Sequence, residues 1–261
     1  MDFYQQLFDV SDKVVLVTGG TRGIGLMIAE GLVRAGARVY IASRKSAACE
    51  EAEEKLGRYG FCRVIAADVS SISGCRQLAE EIRKAESELP VLVNNAGVTW
   101  SEDIDNFHEK AWDKVVDLDV KGAFFLIKHL LPLLRQGATL ENRASIVNIT
   151  RVNALRPSGL RNYSYVAAKA GLGQLSVQLA ADLMDEYVNV NVIAPGLFES
   201  KMTASLFESE EAVEQLLANQ PMKRSGRMED IAGLVIYLSS KAGQFITGST
   251  IACDGGATST T

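Results

Sequence analysis

Histidine and cysteine are scarce in this chain, at two and four among 261 residues. Cys49, Cys62, Cys75 and Cys253 are scattered, and no two stand at metal-ligand spacing. That argues against a cysteine/histidine metal site and leaves reduced, partly buried thiols as the expectation. His108 and His129 are expected to be structural or surface residues. No apolar run approaches the ~18 residues of a membrane span. The start Met1-Asp2-Phe3-Tyr4-Gln5-Gln6 lacks the basic opening and apolar centre of a secretory signal, so cytoplasmic residence is expected. Positive charge is not in excess: 27 Lys and Arg face 32 Asp and Glu, a net charge of −5. A nucleic acid or an anionic membrane is therefore not the expected partner. No repeat, low-complexity stretch or linker breaks the chain.

What is present is a large apolar fraction, 47% of residues, arranged in a regular alternation. Apolar, β-branched runs at 13–18, 38–42, 63–67, 91–94, 144–149, 188–193 and 250–251 read as strands. Helical patterns at 24–35, 47–58, 75–86, 111–134 and 163–184 lie between them. Runs apolar on both faces suit buried parallel strands. Strand–helix alternation with short connections implies one α/β domain over 1–261, a doubly wound parallel sheet with helices on both faces. The stretch 197–227 interrupts the pattern just after Pro195-Gly196. Ligands bind beyond the carboxyl ends of strands in open α/β sheets. That stretch is therefore either a substrate lid or an ordinary helical hairpin on the surface.

Thr18-Gly19-Gly20-Thr21-Arg22-Gly23-Ile24-Gly25 joins the first strand to the first helix. Glycine permits the tight turn and the approach of backbone to a pyrophosphate. The helix N-terminus adds free N–H groups and a positive dipole end. The strand–turn–helix context is the one this mechanism requires, so Gly19, Thr21, Arg22, Gly23, Ile24 and Gly25 are candidate cofactor residues. A site for NAD expects a carboxylate at the end of the second strand. Here that strand runs into Ser43, Arg44 and Lys45 instead. Arg44 can take a 2′-phosphate in forked geometry and Ser43 can donate to it, with Arg22 adding a second cation. NADPH/NADP+ is therefore the expected cofactor. Arg44 and Lys45 as plain solvated charges would stand poorly at a helix start.

Tyr165 and Lys169 are four apart and share a face if helical. A free tyrosine, with a pKa of about 10, is a poor acid–base group near neutrality. A neighbouring ammonium favours the phenolate, which suits proton exchange with an alcohol or ketone oxygen.

With these two motifs, the chain resembles the short-chain dehydrogenase/reductase family over essentially its whole length. Asp68-Val69 looks like that family's adenine contact, and Asn94-Asn95-Ala96-Gly97 like its fourth-strand motif. Pro195-Gly196 looks like the turn beside the nicotinamide, and Cys253-Asp254-Gly255-Gly256 like its ending. Within the family the similarity is to 3-oxoacyl-acyl-carrier-protein reductases, including the branch associated with rhamnolipid synthesis. The resemblance implies a Rossmann-type fold, NADPH-dependent ketone reduction and a homotetramer or homodimer. It also implies that Asp68, Val69, Asn95, Ala96, Gly97, Pro195, Gly196, Lys169 and Tyr165 meet the cofactor. Phe198 and Met202 lie near the nicotinamide turn, and Phe198 is taken as a cofactor residue.

Two positions depart from the family. Arg151 stands where a serine usually donates to the substrate oxygen, and Asp119 where an asparagine usually helps hold a water near the lysine. Losing such a donor costs about 10²–10³ in turnover. Arg151 has three outcomes open: it donates to the carbonyl, it pairs with Asp119 or a substrate carboxylate, or it blocks the pocket. Thr150, Asn153, Ser158 and Ser164 are substitute donors. Trp100 and Phe107 line the substrate mouth or pack in core or interface. The expectation is reduction of a 3-oxoacyl or related β-keto substrate, with a small-molecule ketone or acyl thioester as partner. Tyr165 gives the proton, and Lys169 lowers its pKa and holds the ribose. The alternatives are an NADP(H)-binding protein with little turnover and an NADP-dependent alcohol dehydrogenase.

Overall fold

A computed structural model describes residues 2–44, 46–157, 159–199 and 210–260. Seven strands form one sheet: β1 (Val14–Thr18), β2 (Arg38–Ser43), β3 (Cys62–Ala66), β4 (Val91–Asn94), β5 (Ala144–Ile149), β6 (Val188–Pro195) and β7 (Thr250–Cys253). Every pairing is parallel, in the order β3-β2-β1-β4-β5-β6-β7. The chain winds outward from β1 to β3, then crosses to β4 and winds the other way. This reversal leaves a crevice beyond the carboxyl ends of β1 and β4.

The side chains alternate between two cores, as the strand period of two requires. Leu16, Leu92, Ile146 and Val190 face one, beneath α4 (Ile72–Ala85), α6 (Ala123–Arg135) and α7 (Tyr163–Asp182). Val15, Val17, Val93 and Val147 face the other, with α2 (Gly23–Arg34) and α9 (Met228–Ser239). On that side Gly31 lies against α9: a Cβ there would be 2.3 Å from the Ala232 Cβ. The remaining helices are α1 (Phe3–Phe8), α3 (Ser46–Gly57), α5 (Glu109–Val116) and α8 (Glu210–Ala218).

Several expectations are corrected. The strands β1, β4, β5 and β6 are buried throughout, but the outer β3 and β7 are half-exposed, because an edge has a neighbour on one side only. Neither α1 nor α9 was read from the sequence. The continuous helix expected over 111–134 is three pieces: α5, a π-helical turn at Asp117–Gly122, and α6. Within 197–227 the structure gives a bridge between Phe198 and Gly226 and the helix α8. Burial pushes the Cys62 thiol up to about 12 and the Cys75 and Cys253 thiols to about 11, which keeps all three protonated and poorly nucleophilic near neutrality. No helix among the described residues is long and apolar enough to cross a membrane.

Candidate active site

The crevice begins at the glycine turn. Gly19 takes φ +67° and Gly23 φ +53°, left-handed values that glycine accepts without strain. The turn is tied to the end of β4. Thr18 Oγ1 accepts from the N–H groups of Asn95 and Ala96, both at 3.0 Å. Asn95 Nδ2 donates to the carbonyls of Thr18 at 2.9 Å and Gly19 at 3.2 Å. A Cβ on Gly25 would sit 2.3 Å from Asn95 Nδ2 and 2.4 Å from the Gly19 carbonyl oxygen, so glycine alone lets the helix start against the turn. Arg22 opens α2 with extended backbone and no side-chain cap. The N–H groups of Gly23, Ile24 and Gly25 belong to the helix's first turn and have no partner within the helix. A phosphate fits this cradle.

At the end of β2, Thr21 Oγ1 and Ser43 Oγ lie 3.2 Å apart. Arg44 approaches Asp68 only loosely, at 4.0 Å between exposed groups, so its guanidinium is open to an anion. Asp68 is engaged by Ser70 through its N–H at 3.1 Å and its hydroxyl at 2.7 Å, and Val69 is buried beside it. Lys45, expected at this corner, lies outside the described residues, as do Ser158 and Met202. On the other side of the crevice Gly196 ends β6 by donating to the Cys253 carbonyl at 3.0 Å, carrying Pro195 with it. The Phe198 ring is 1% exposed and sits in the core with Val147 and Ile193.

Tyr165 and Lys169 stand one turn apart near the start of α7, both buried. Tyr165 packs against Val115, Ala168 and the partly buried Val98, Trp100 and Val120. The Lys169 ammonium lies 5.7 Å from the Tyr165 ring centre and donates to the Ile149 carbonyl at 3.1 Å. Asp119, on the π turn, answers it: Oδ2 is 3.1 Å from Lys169 Nζ, and Oδ1 accepts from the Val98 N–H at 2.9 Å. The pair is sealed, with side chains 4% and 0% exposed. A Cβ on Gly97 would come within 3.0 Å of Asp119 Oδ2 and 3.1 Å of Lys169 Nζ, so that glycine leaves room for the pair. Burial pulls the ammonium pKa down, but the Asp119 carboxylate outweighs it and holds Lys169 above its ordinary value. Burial pushes the Asp119 carboxyl up, against the pull of Lys169 and the Val98 N–H.

Asp119 therefore partners Lys169, and no ion pair joins it to Arg151 among the described residues. Arg151 follows β5 in extended backbone, half-buried, ahead of a 3₁₀ turn at Val152–Ala154. Of the substitute donors, the Thr150 hydroxyl is directed to the Ile193 carbonyl at 3.3 Å, and Asn153 is half-buried. The buried Ser164 hydroxyl has no partner among the described residues. Trp100 packs beside Tyr165, while Phe107 stacks edge-on with Trp112 and Tyr163. His108 caps α5, accepting from the Ala111 N–H at 3.1 Å, a structural part as expected.

The sequence reading missed three features of this site: the π turn, the Val98 N–H and the Ile149 carbonyl. A backbone group has no residue-type signature, and the π turn has none either. The only signal in the sequence was Asp119 itself, standing where the family usually has an asparagine. As an arrangement, the crevice offers a phosphate cradle and a buried phenol beside a fixed ammonium, with half-buried Arg151 two residues past the Ile149 carbonyl.

A family model described as enoyl-(acyl carrier protein) reductase matches residues 19–258. The rhamnolipids biosynthesis 3-oxoacyl-(acyl-carrier-protein) reductase of Pseudomonas aeruginosa is 45% identical over 249 residues, covering 95% of this chain and 97% of that protein. The 3-oxoacyl-(acyl-carrier-protein) reductase FabG of Staphylococcus epidermidis is 36% identical over 249 residues, covering 94% and 98%. Among solved structures, the Pseudomonas aeruginosa RhlG/NADP active-site complex superposes with a TM-score of 0.94 at 44% identity, covering 97% and 99%.

Proposed function

The chain belongs to the short-chain dehydrogenase/reductase family, and from that premise we propose that it reduces the ketone of a 3-oxoacyl or related β-keto compound to a secondary alcohol. It is an NADP(H)-dependent oxidoreductase. The observation that carries the reading is the buried Tyr165–Lys169–Asp119 cluster at the mouth of a phosphate cradle.

The crevice fits the cofactor. Its glycine turn leaves no room for a Cβ at Gly25 and faces its helix N–H groups outward for the pyrophosphate. Gly19, Thr21, Arg22, Gly23, Ile24 and Gly25 would hold that group. Ser43, Arg44 and Lys45 would take the 2′-phosphate, and Asp68 and Val69 the adenine. Asn95, Ala96, Gly97, Pro195, Gly196 and the backbone at Phe198 would line the rest. When bound, NADPH supplies the hydride. Tyr165 gives its phenolic proton to the ketone oxygen as negative charge develops there. The Lys169 ammonium stabilises the phenolate left behind and serves the ribose hydroxyls. Asp119 and the Ile149 carbonyl hold the ammonium in place and charged.

One domain spanning 1–261, with 197–227 as a substrate lid, belongs to this reading, as do cytoplasmic residence and a homodimer or homotetramer. Exposed Trp112 on α5 and half-buried Phe124 and Phe125 on α6 offer apolar surface for such assembly. A second reading, an NADP(H)-binding protein of little turnover, is favoured by two observations. Asp119 offsets the lysine charge on which the phenol depends, and the residue after Thr150 has no hydroxyl. NADPH oxidation with a short 3-oxoacyl thioester tests both, comparing this chain with its Arg151→Ser/Asp119→Asn form. Turnover by the unaltered chain, abolished by Tyr165→Phe, supports the first reading. A silent chain that binds NADPH and is awakened by the double substitution supports the second.

A further inference from the structure

Arg151 is a half-buried guanidinium that makes no hydrogen bond or ion pair through its side chain among the described residues. Asp119 is already committed to Lys169 and to the Val98 N–H. Arg151 stands two residues beyond the carbonyl that receives Lys169, close enough for its charge to work against the lysine's own. With Lys169 paired to Asp119, the Arg151 charge is left over beside that pair, past the end of β5, where the proposed reading puts the substrate. Burying a charge without a partner is costly, and a planar guanidinium fork matches a carboxylate bidentately.

We propose that Arg151 is a substrate-binding residue that pairs with a free carboxylate close to the ketone, so that the site selects oxo acids over neutral esters and ketones of the same size. This rests on the reading of the crevice as a ketone-reducing site and narrows its substrate class. The proton still comes from Tyr165.

The test compares acetoacetate with its ethyl ester on the whole protein loaded with NADP+, by calorimetry, and in parallel with NADPH by turnover. The expected result is binding of the acid at least ten-fold tighter than the ester. In Arg151→Met the preference collapses towards one, a loss of roughly ten- to a hundred-fold for the acid. Arg151→Lys, which keeps the charge but not the fork, retains an intermediate preference that fades with added salt, and this separates the effect from misfolding. Equal binding of acid and ester by the unaltered protein overturns the proposal. So does a preference that survives Arg151→Met. Selective, Arg151-dependent binding with no turnover of either compound sustains the carboxylate site and overturns ketone reduction instead.

Discussion

The sealed Asp119–Lys169 pair permits a worked prediction. Both charges are almost wholly out of water, 3.1 Å apart. Removing one partner from such a pair costs about 3–5 kcal/mol, because the other charge is left buried and alone. The stranded group can escape by neutralising. For Lys169, with an ordinary value of 10.5, giving up its proton at pH 7 costs about 5 kcal/mol, at about 1.4 kcal/mol per pH unit. That sets the ceiling for Asp119→Leu at neutral pH, apart from about 1–3 kcal/mol for the Val98 N–H left without its acceptor. Lys169 is held above its ordinary value in the native protein. Its contribution is therefore complete below 10.5 and is lost as pH rises through the raised value. The penalty of Asp119→Leu should thus shrink by about 1.4 kcal/mol per pH unit between pH 7 and 10. The double form Asp119→Leu/Lys169→Met removes both charges and should recover to within about 2 kcal/mol of the unaltered protein. Urea unfolding followed by circular dichroism at pH 7 and 9.5 measures the unaltered chain, the single forms Asp119→Leu and Lys169→Met, and the double form. Additive single effects, with coupling under about 0.5 kcal/mol, would refute the pairing argument. A penalty independent of pH would refute the assignment of the stranded charge to Lys169.

Other consequences are open to direct measurement. Tyr165→Phe should lower kcat with a 3-oxoacyl thioester by about 10²–10⁴ while NADPH affinity, read by fluorescence, stays within a few-fold. Gly25→Val forces a side chain into Asn95 and the Gly19 carbonyl, and should abolish NADPH binding in an isothermal titration while α2 remains helical. Arg44→Ala should weaken NADPH by roughly ten- to a hundred-fold and leave NADH affinity nearly unchanged, because only the former carries the 2′-phosphate. Gly31→Val overpacks the contact with Ala232 and should lower stability by about 1–3 kcal/mol, seen as a lower Tm without loss of cofactor affinity per folded molecule.

Much of the fold could be read from local pattern. Strands such as Val14–Thr18 and Val188–Pro195 are buried on both faces, so they are apolar throughout and stand out from the helices around them. The glycine turn was legible for a similar reason: a left-handed φ at Gly19 and a closed approach at Gly25 each demand one residue type. Where burial depends on distant partners, pattern reading failed. The helix α9 was missed because its apolar face is matched to Gly31 and α2, far earlier in the chain. Sequence places Phe198 beside the nicotinamide turn, and only the fold shows its ring packed in the core behind Gly226.

The sequence by itself determined the α/β alternation, the phosphate cradle, the absence of a carboxylate after β2, and the spacing of Tyr165 from Lys169. All of these are encoded within a few residues of one another. Only the tertiary structure decided which charge answers Lys169. Asp119, Val98, Ile149 and Lys169 come from four separate elements, and Asp119 reaches them from a π turn that no local signal announces. The pairing leaves Arg151 without an ion pair among the described residues, because electrostatic balance in a buried site is settled by distances across the fold and not by neighbours along the chain.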